Sequence, residues 1–241
     1  MRGISAQTLK IIACISMVID HVTMCFVPRL LAGGEENIIW YLGRGIGRSA
    51  FIILAFLLVE GYFYTSDFRK YLIRMLVFAV ISEVPFDLMN NDLHGLDMLS
   101  LQNVLFTFVI GLVIIHVLEF IKNSYLEKSL VKYNIFAGIV CAFGFVAAFF
   151  SRVDFGLIGI GLILIFYFFR NMGWRLTVAI IVWAVICLFM QHQLEWAGLI
   201  ALVPIMKWYD GARGSGSKWF FYIFYPVHML ILGLICLALG I

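Results

Sequence analysis

The chain has 241 residues, of which 63% are apolar and only 13% charged, with a formal net charge of +3. Soluble domains carry about 25% charged residues, so a soluble enzyme and a disordered protein are excluded. A charge of +3 is too mild for a nucleic-acid binder. At ~20 residues per membrane span the length suits about eight to ten spans. The expectation is an all-α, polytopic helix bundle in a lipid bilayer, a single integral-membrane domain over 1–241.

Met1-Arg2-Gly3 leads into an apolar run with internal polar residues and no small-residue cleavage site, which reads as a retained first span at 8–28. Further spans are expected at 46–65, 70–90, 100–120, 134–150, 154–169, 174–190, 195–206 and 218–239, the eighth short enough to be re-entrant. That gives nine. Gly211–Ser217 reads as a flexible loop. Cys14, Cys25, Cys141, Cys187 and Cys236 all lie in apolar runs without a CxxC pair and read as buried thiols, and no metal-ligand spacing is visible.

Lys and Arg set the orientation. With the N-terminus cytoplasmic, only Arg29, Arg44, Arg48 and Arg152 of the 17 fall on outer segments. This favours N-in, C-out for nine spans, in the cell (inner, cytoplasmic) membrane.

A span that only had to sit in lipid would hold no ionisable groups, each costing at least ~2.5 kcal/mol at mid-bilayer. This chain keeps Asp20 and His21 slightly outward of the first midplane, Arg44 and Arg48 at the outer mouth of the second span, and Glu83 and Asp87 four apart in the third. Gln102 and Asn103 open the fourth, in the same outer layer. Arg44 or Arg48 is expected to pair with Glu83 or Asp87. Glu60 lies in the inner half of its span, and Tyr222, Tyr225 and His228 share one face of the last helix, which Pro226 is expected to kink. His94 and His192 read as solvent-facing and His116 as structural.

Leu9-Lys10-Ile11-Ile12-Ala13-Cys14 with Ile19-Asp20-His21, then Gly43-Arg44 and Leu58-Val59-Glu60-Gly61, resemble the opening of the TraX family. So do Arg69-Lys70-Tyr71, the Ser82–Asp87 block, Gln102-Asn103-Val104 with Phe106-Thr107, and the Phe221–His228 ending with its Tyr-Pro-x-His. The resemblance covers nearly the whole chain, with about 121–200 generic. It implies an integral-membrane acetyltransferase using acetyl-CoA, in a family whose founding member is associated with N-terminal acetylation of a conjugative pilin. The family is similar to the wider transmembrane acyltransferases, where a basic residue precedes an essential histidine by ten intervening positions; Lys10 and His21 fit that spacing. Members occur in bacteria without such a pilus, so the acceptor, whether peptide, glycan or small molecule, stays open.

Acetyl transfer needs a general base and a group that orients it. His21 is the expected base, His228 its competitor, and Asp20, Glu83 or Asp87 the orienting carboxylate. Asp20 points ~100° away from its neighbour on a helix, which favours Glu83 or Asp87. Asn103, Gln102 or Tyr225 would stabilise the developing oxyanion. Lys10, Arg69, Lys70, Arg74, Lys207, Arg213 and Lys218 would meet the phosphates of CoA at the inner face. Arg44, Arg48, Glu60, Gln102 and Tyr222 complete the expected acceptor site. The alternative from the residues alone is a secondary transporter or proton-coupled carrier.

Overall fold

The computed structural model describes residues 3–90, 101–171, 173–191, 207–217 and 219–240. Among these, eight α-helices follow in order: α1 (Ala6–Leu30), α2 (Ile38–Tyr64), α3 (Phe68–Asn90), α4 (Val104–Tyr125), α5 (Leu130–Phe150), α6 (Gly156–Phe168), α7 (Trp174–Gln191) and α8 (Phe220–Leu239). Four of their starts are written in the sequence. Ser5, Asn37, Asn103 and Ser129 each accept a first-turn N–H, from Thr8, Ile39, Leu105 and Lys132 respectively. Helices α1, α2, α4, α5 and α8 are long and apolar enough to cross a membrane. Helix α3 is as long but carries Arg69, Lys70, Arg74, Glu83 and Asp87.

Burial is inverted relative to a soluble protein. Glu83, Asp87, Asn103 and Thr107 are buried, while Ile135, Ile139, Phe143 and Phe150 on α5 are exposed. Lipid removes the penalty for the second set and forces the first inward. Helix α1 packs on α2 and α8, α3 on α4 and α8, and α2 and α4 on α6, with α5 and α7 outside α4 and α6. Helices α1–α4 and α8 therefore enclose the polar interior.

Two helix starts that bear on the site differ from the expected ones. Helix α2 begins at Ile38 rather than 46, so Arg44 and Arg48 lie within it rather than at a mouth. The glycines here serve helix approach: a Cβ at Gly43 would collide with Thr23, and one at Gly47 would stand 2.3 Å from Asp20 Cγ. Helix α4 begins at Val104, which leaves Gln102 and Asn103 ahead of it. Pro226 sits inside a continuous α8, depriving the Tyr222 carbonyl of its usual donor.

The Gly211–Ser217 stretch is pinned, not free. Ala6 and Gln7 donate their N–H groups to the carbonyls of Ala212 (2.8 Å) and Arg213 (3.1 Å), and Ile4 donates to Trp208 (2.7 Å). Ala6 and Gln7 open a helix, so their N–H groups have no partner within it, and the loop carbonyls supply one. At the other end of the bundle Gln102 pairs with the turn between α5 and α6, donating to Arg152 O (3.0 Å) and accepting from Asp154 N (2.8 Å). The expected eighth span at 195–206, His94, His192 and Lys218 lie outside the described residues.

Candidate functional site

Close approach of α1 and α2 over Gly43 and Gly47 sets the first half of the site. Ser49 donates to Ser16 across the contact (2.9 Å), and one turn further along α1 Arg44 Nη1 donates to Asp20 Oδ2 (2.7 Å). Arg44 is thus committed to Asp20 rather than to Glu83 or Asp87. Its guanidinium also stands 5.3 Å from the Trp40 ring centroid.

Helix α8 brings the second half. His228 Nε2 lies 2.8 Å from His21 Nδ1, with the two rings nearly coplanar at 3°. On its other side His228 Nδ1 lies 2.8 Å from the Phe224 carbonyl, four residues earlier in the same helix. A carbonyl only accepts, so His228 Nδ1 carries the hydrogen and its Nε2 accepts. The donor to it is then His21 Nδ1–H, which leaves the lone pair on His21 Nε2. That atom stands 4.0 Å from Asp20 Oδ2. Two residues expected as rivals for one role form a relay with distinct ends. The group that orients His21 is a second imidazole, where a carboxylate was expected, and the nearby acid is Asp20: adjacent backbone directions diverge, but both side chains reach the same cavity.

That cavity, about 140 Å³, is lined by Asp20, His21, Arg44, Arg48, Asp154 and Tyr225 among others. Glu83 and Asn103 sit behind its wall. Asn103 caps α4 through Oδ1 and spends its amide hydrogens on Ala79 O (2.8 Å) and Glu83 Oε2. With both donors used, Asn103 is a brace between α3 and α4 and not an oxyanion donor. Glu83 is only 2% exposed and turned to Asn103, so it does not orient His21. Asp87 is buried on the same helix. Tyr225 remains in place on the cavity wall, its hydroxyl beside the Val104 N–H at the start of α4. Gln102 contributes backbone bonds to the α5–α6 turn.

Sequence reasoning missed Asp154. It lies in that turn between two non-glycine residues with left-handed backbone, Arg152 (φ 48°) and Phe155 (φ 60°). Such conformations cost of order 1–3 kcal/mol each and persist where the surroundings hold them. Here Thr107 donates to the Asp154 carbonyl, Phe155 N–H to Asp154 Oδ1 (2.9 Å), and the Phe155 ring stacks on Phe51 (3.9 Å) beneath the Arg48 guanidinium (5.3 Å). An acid immediately before Phe-Gly at a span start was the signal available.

A second, larger cavity of about 530 Å³ lies toward the N-terminal end of α1, the inner one in the expected orientation, lined by Lys10, Glu60, Tyr71, Arg74, Arg213 and Tyr222 among others. Leu54 and Phe108 line both cavities, so they form the partition between them. Lys10, Arg74 and Arg213 converge here, whereas Arg69 and Lys70 are exposed and line neither cavity; Lys70 instead pairs with Asp67 (3.0 Å). Tyr222, expected at the acceptor site, is here with its ring 5.2 Å from the Arg74 guanidinium. Glu60, also expected there, forms a bidentate pair with Arg170 (2.6 and 3.1 Å) on the cavity's far wall. Lys207 lines a third cavity beyond it. His116 meets Tyr62 (3.1 Å) and stacks on Phe68.

The family model described as TraX protein matches residues 5–236. The chain belongs to the TraX family. It is 31% identical to the probable fimbrial assembly protein FimC, serogroup H1, of Dichelobacter nodosus, over 95% of this chain and 94% of that protein. No solved structure matches. The blocks that carry the TraX resemblance converge in space. Asp20-His21, Gly43-Arg44 and Tyr225–His228 meet around the outer cavity, with Glu83 and Asn103 bracing it. The generic middle of the sequence supplies α5–α7, with α6 packed on α2 and α4 and the α5–α6 turn adding Asp154 to the cavity wall.

Proposed function

We propose that this TraX-family chain is a membrane-embedded acetyltransferase that moves an acetyl group from cytoplasmic acetyl-CoA to an amine or hydroxyl acceptor on the outer side. The observation that carries this reading is the end-to-end meeting of a basic cavity and a small cavity holding the His21 lone pair, separated by Leu54 and Phe108 alone among residues common to both. Lys10, Arg74 and Arg213 fit the phosphates of the donor, with no carboxylate in ion-pair contact with them among the described residues. About 530 Å³ is within the ~300–1,000 Å³ typical of small-molecule sites. The outer cavity, at about 140 Å³, has room for an acyl group and the reacting end of an acceptor only.

In this reading His21 Nε2 takes the proton of the acceptor N–H or O–H as that atom attacks the thioester carbonyl carbon. The Asp20 carboxylate faces the resulting imidazolium, and His228 holds its ring. Tyr225 donates to the oxyanion. Collapse breaks the C–S bond, and His21 returns its proton to the departing thiolate. The peptide terminus of a fimbrial or pilin subunit is one acceptor class, given the relative's description; a glycan or small molecule is another.

The topology that serves this chemistry has the N-terminus cytoplasmic, the C-terminus outside and nine spans in the inner membrane. The pinning of the 208–213 segment to the first turn of α1 supports putting both on one side. The rival reading, a secondary transporter or proton-coupled carrier, draws on the same pair of cavities meeting mid-bundle. Purified protein in detergent given radiolabelled acetyl-CoA and candidate acceptors separates the two: thiol release dependent on His21 is expected, and its absence with every acceptor class, alongside substrate movement in vesicles, would establish the carrier.

A further inference from the structure

A third cavity, about 390 Å³, lies between α2, the turn between α6 and α7, the start of α7 and the 207–211 segment, lined by Glu60, Tyr64, Arg170, Thr177, Lys207 and Tyr209 among others. Glu60, Tyr64, Tyr209 and Gly211 also line the inner cavity, so the two are neighbours across one wall. Arg170 spends Nε–H and one Nη2–H on Glu60, at 2.6 and 3.1 Å. A guanidinium has five N–H donors, so three remain. Phe63 (4.3 Å) and Tyr64 (5.8 Å) fix its plane. Glu60 cancels one of the two cations in this cavity, and Lys207 has no carboxylate in ion-pair contact among the described residues. The surplus is positive.

Burial, with Glu60 and Tyr64 beside it, pushes the Tyr209 phenol up to about 12. It therefore stays neutral at physiological pH and keeps a hydrogen to donate.

We propose that this cavity is the subsite for the 3′-phosphate and adenosine end of the acyl donor, with Arg170 and Lys207 as its phosphate ligands. The inference rests on the acetyl-CoA reading above and deepens it. The donor carries phosphate in two places, a diphosphate mid-chain and a phosphomonoester on the ribose. The fold offers two basic cavities in the matching order. The thioester end has to approach His21 through the partition at Leu54 and Phe108, which assigns the pantetheine arm and diphosphate to Lys10, Arg74 and Arg213. The remaining end emerges past Tyr64 and Tyr209, where an adenine ring has aromatic faces to stack on and a dianion meets the unspent edge of Arg170.

The test is the affinity of the purified full-length protein in detergent for acetyl-CoA and for acetyl-3′-dephospho-CoA, by titration calorimetry. Wild type should bind acetyl-CoA about tenfold more tightly, equivalent to ~1.4 kcal/mol. Lys207→Gln, and the double variant Glu60→Gln with Arg170→Gln, should each lose that preference by weakening acetyl-CoA alone. The double variant removes both members of the pair, so no lone charge is left behind, and Lys207→Gln decides alone if the double fails to fold. Arg213→Gln should weaken both donors equally. Equal loss of both donors in Lys207→Gln, or a wild type indifferent to the 3′-phosphate, overturns the subsite while leaving the donor reading standing. Binding of neither donor by wild type overturns both.

Discussion

In the outer cavity the polar groups are tied to one another: Asp20 to Arg44, His21 to His228, and His228 to a backbone carbonyl. In the inner cavity Lys10, Arg74 and Arg213 face about 530 Å³, against 140 Å³ outside, with aromatic rings rather than carboxylates around Arg74. The same helices α1–α4 and α8 contribute to both. The difference matches two physical tasks. Proton transfer needs a reacting atom fixed within hydrogen-bond reach, whereas holding a long polyanion needs surplus charge and room. In the acetyltransferase reading, depth along one bundle thus separates a rigid reaction chamber from a roomy binding chamber.

The strongest way to break this comparison is at His21. Replacing it with Gln keeps the approximate shape and a hydrogen bond but cannot accept a proton at neutral pH, so acetyl transfer should fall ~10²–10⁴-fold while acetyl-CoA affinity stays at the wild-type level. His228→Gln should cost about 10–100-fold, the scale on which an outer partner that fixes a histidine's tautomer acts. It should also alter the pH profile of kcat, which a merely structural role would not. If His228→Gln abolishes acetyl transfer while His21→Gln does not, the relay runs in the opposite direction.

Next comes the ion pair that closes the outer chamber. Removing one partner from a buried pair costs ~3–5 kcal/mol because the other charge is stranded, and removing both costs less. Asp20→Asn and Arg44→Gln should each lower the unfolding free energy in detergent more than the double variant does. Strict additivity would show that the pair is not coupled and that the outer chamber is less rigid than its geometry implies.

How much of this was readable from residues alone also divides by depth. Ionisable groups in apolar runs marked Asp20, His21, Arg44 and His228 without any structure, because lipid makes such placements costly. Pairing was harder to see. Arg44 chose Asp20 over Glu83 because Gly43 and Gly47 let α1 approach α2 closely, and a glycine in a span reads equally well as a loop. The union of His21 with His228 depends on α1 and α8 packing together, and nothing local to either helix encodes it. Asp154 was passed over because its position rests on left-handed backbone at Phe155, which only glycine would have advertised. At the inner side the basic residues were visible but not their sorting: Arg69, Lys70 and Arg74 follow one another on α3, and only Arg74 faces the cavity.

Inner-chamber changes should act on binding more than on chemistry. Arg74→Gln and Arg213→Gln should each raise KM for acetyl-CoA about tenfold, an effect of ~1.4 kcal/mol, with kcat held within twofold or so. Arg74 should show the larger effect of the two, since it is half-buried among Tyr71, Trp219 and Tyr222 while Arg213 is exposed. Equal losses in kcat and kcat/KM would instead move these cations into the reaction chamber.

The smallest expected effect sharpens the boundary of the inner chamber. Arg213, Gly211 and Tyr209 reach the cavity on a segment held by backbone bonds to the chain before and at the start of α1, among them Ile4 N–H to Trp208 O at 2.7 Å. Ile4→Pro removes that donor without touching any cavity side chain. One hydrogen bond of this kind is worth about 0.5–1.5 kcal/mol net, so KM for acetyl-CoA should rise about two- to tenfold as the segment loosens. The kcat should not change, because His21 sits about four turns deeper on α1 and its relay to His228 does not involve the segment. If Ile4→Pro lowered kcat with KM unmoved, the strap would be acting on the outer chamber through α1, and the separation of the two chambers along the bundle would fail.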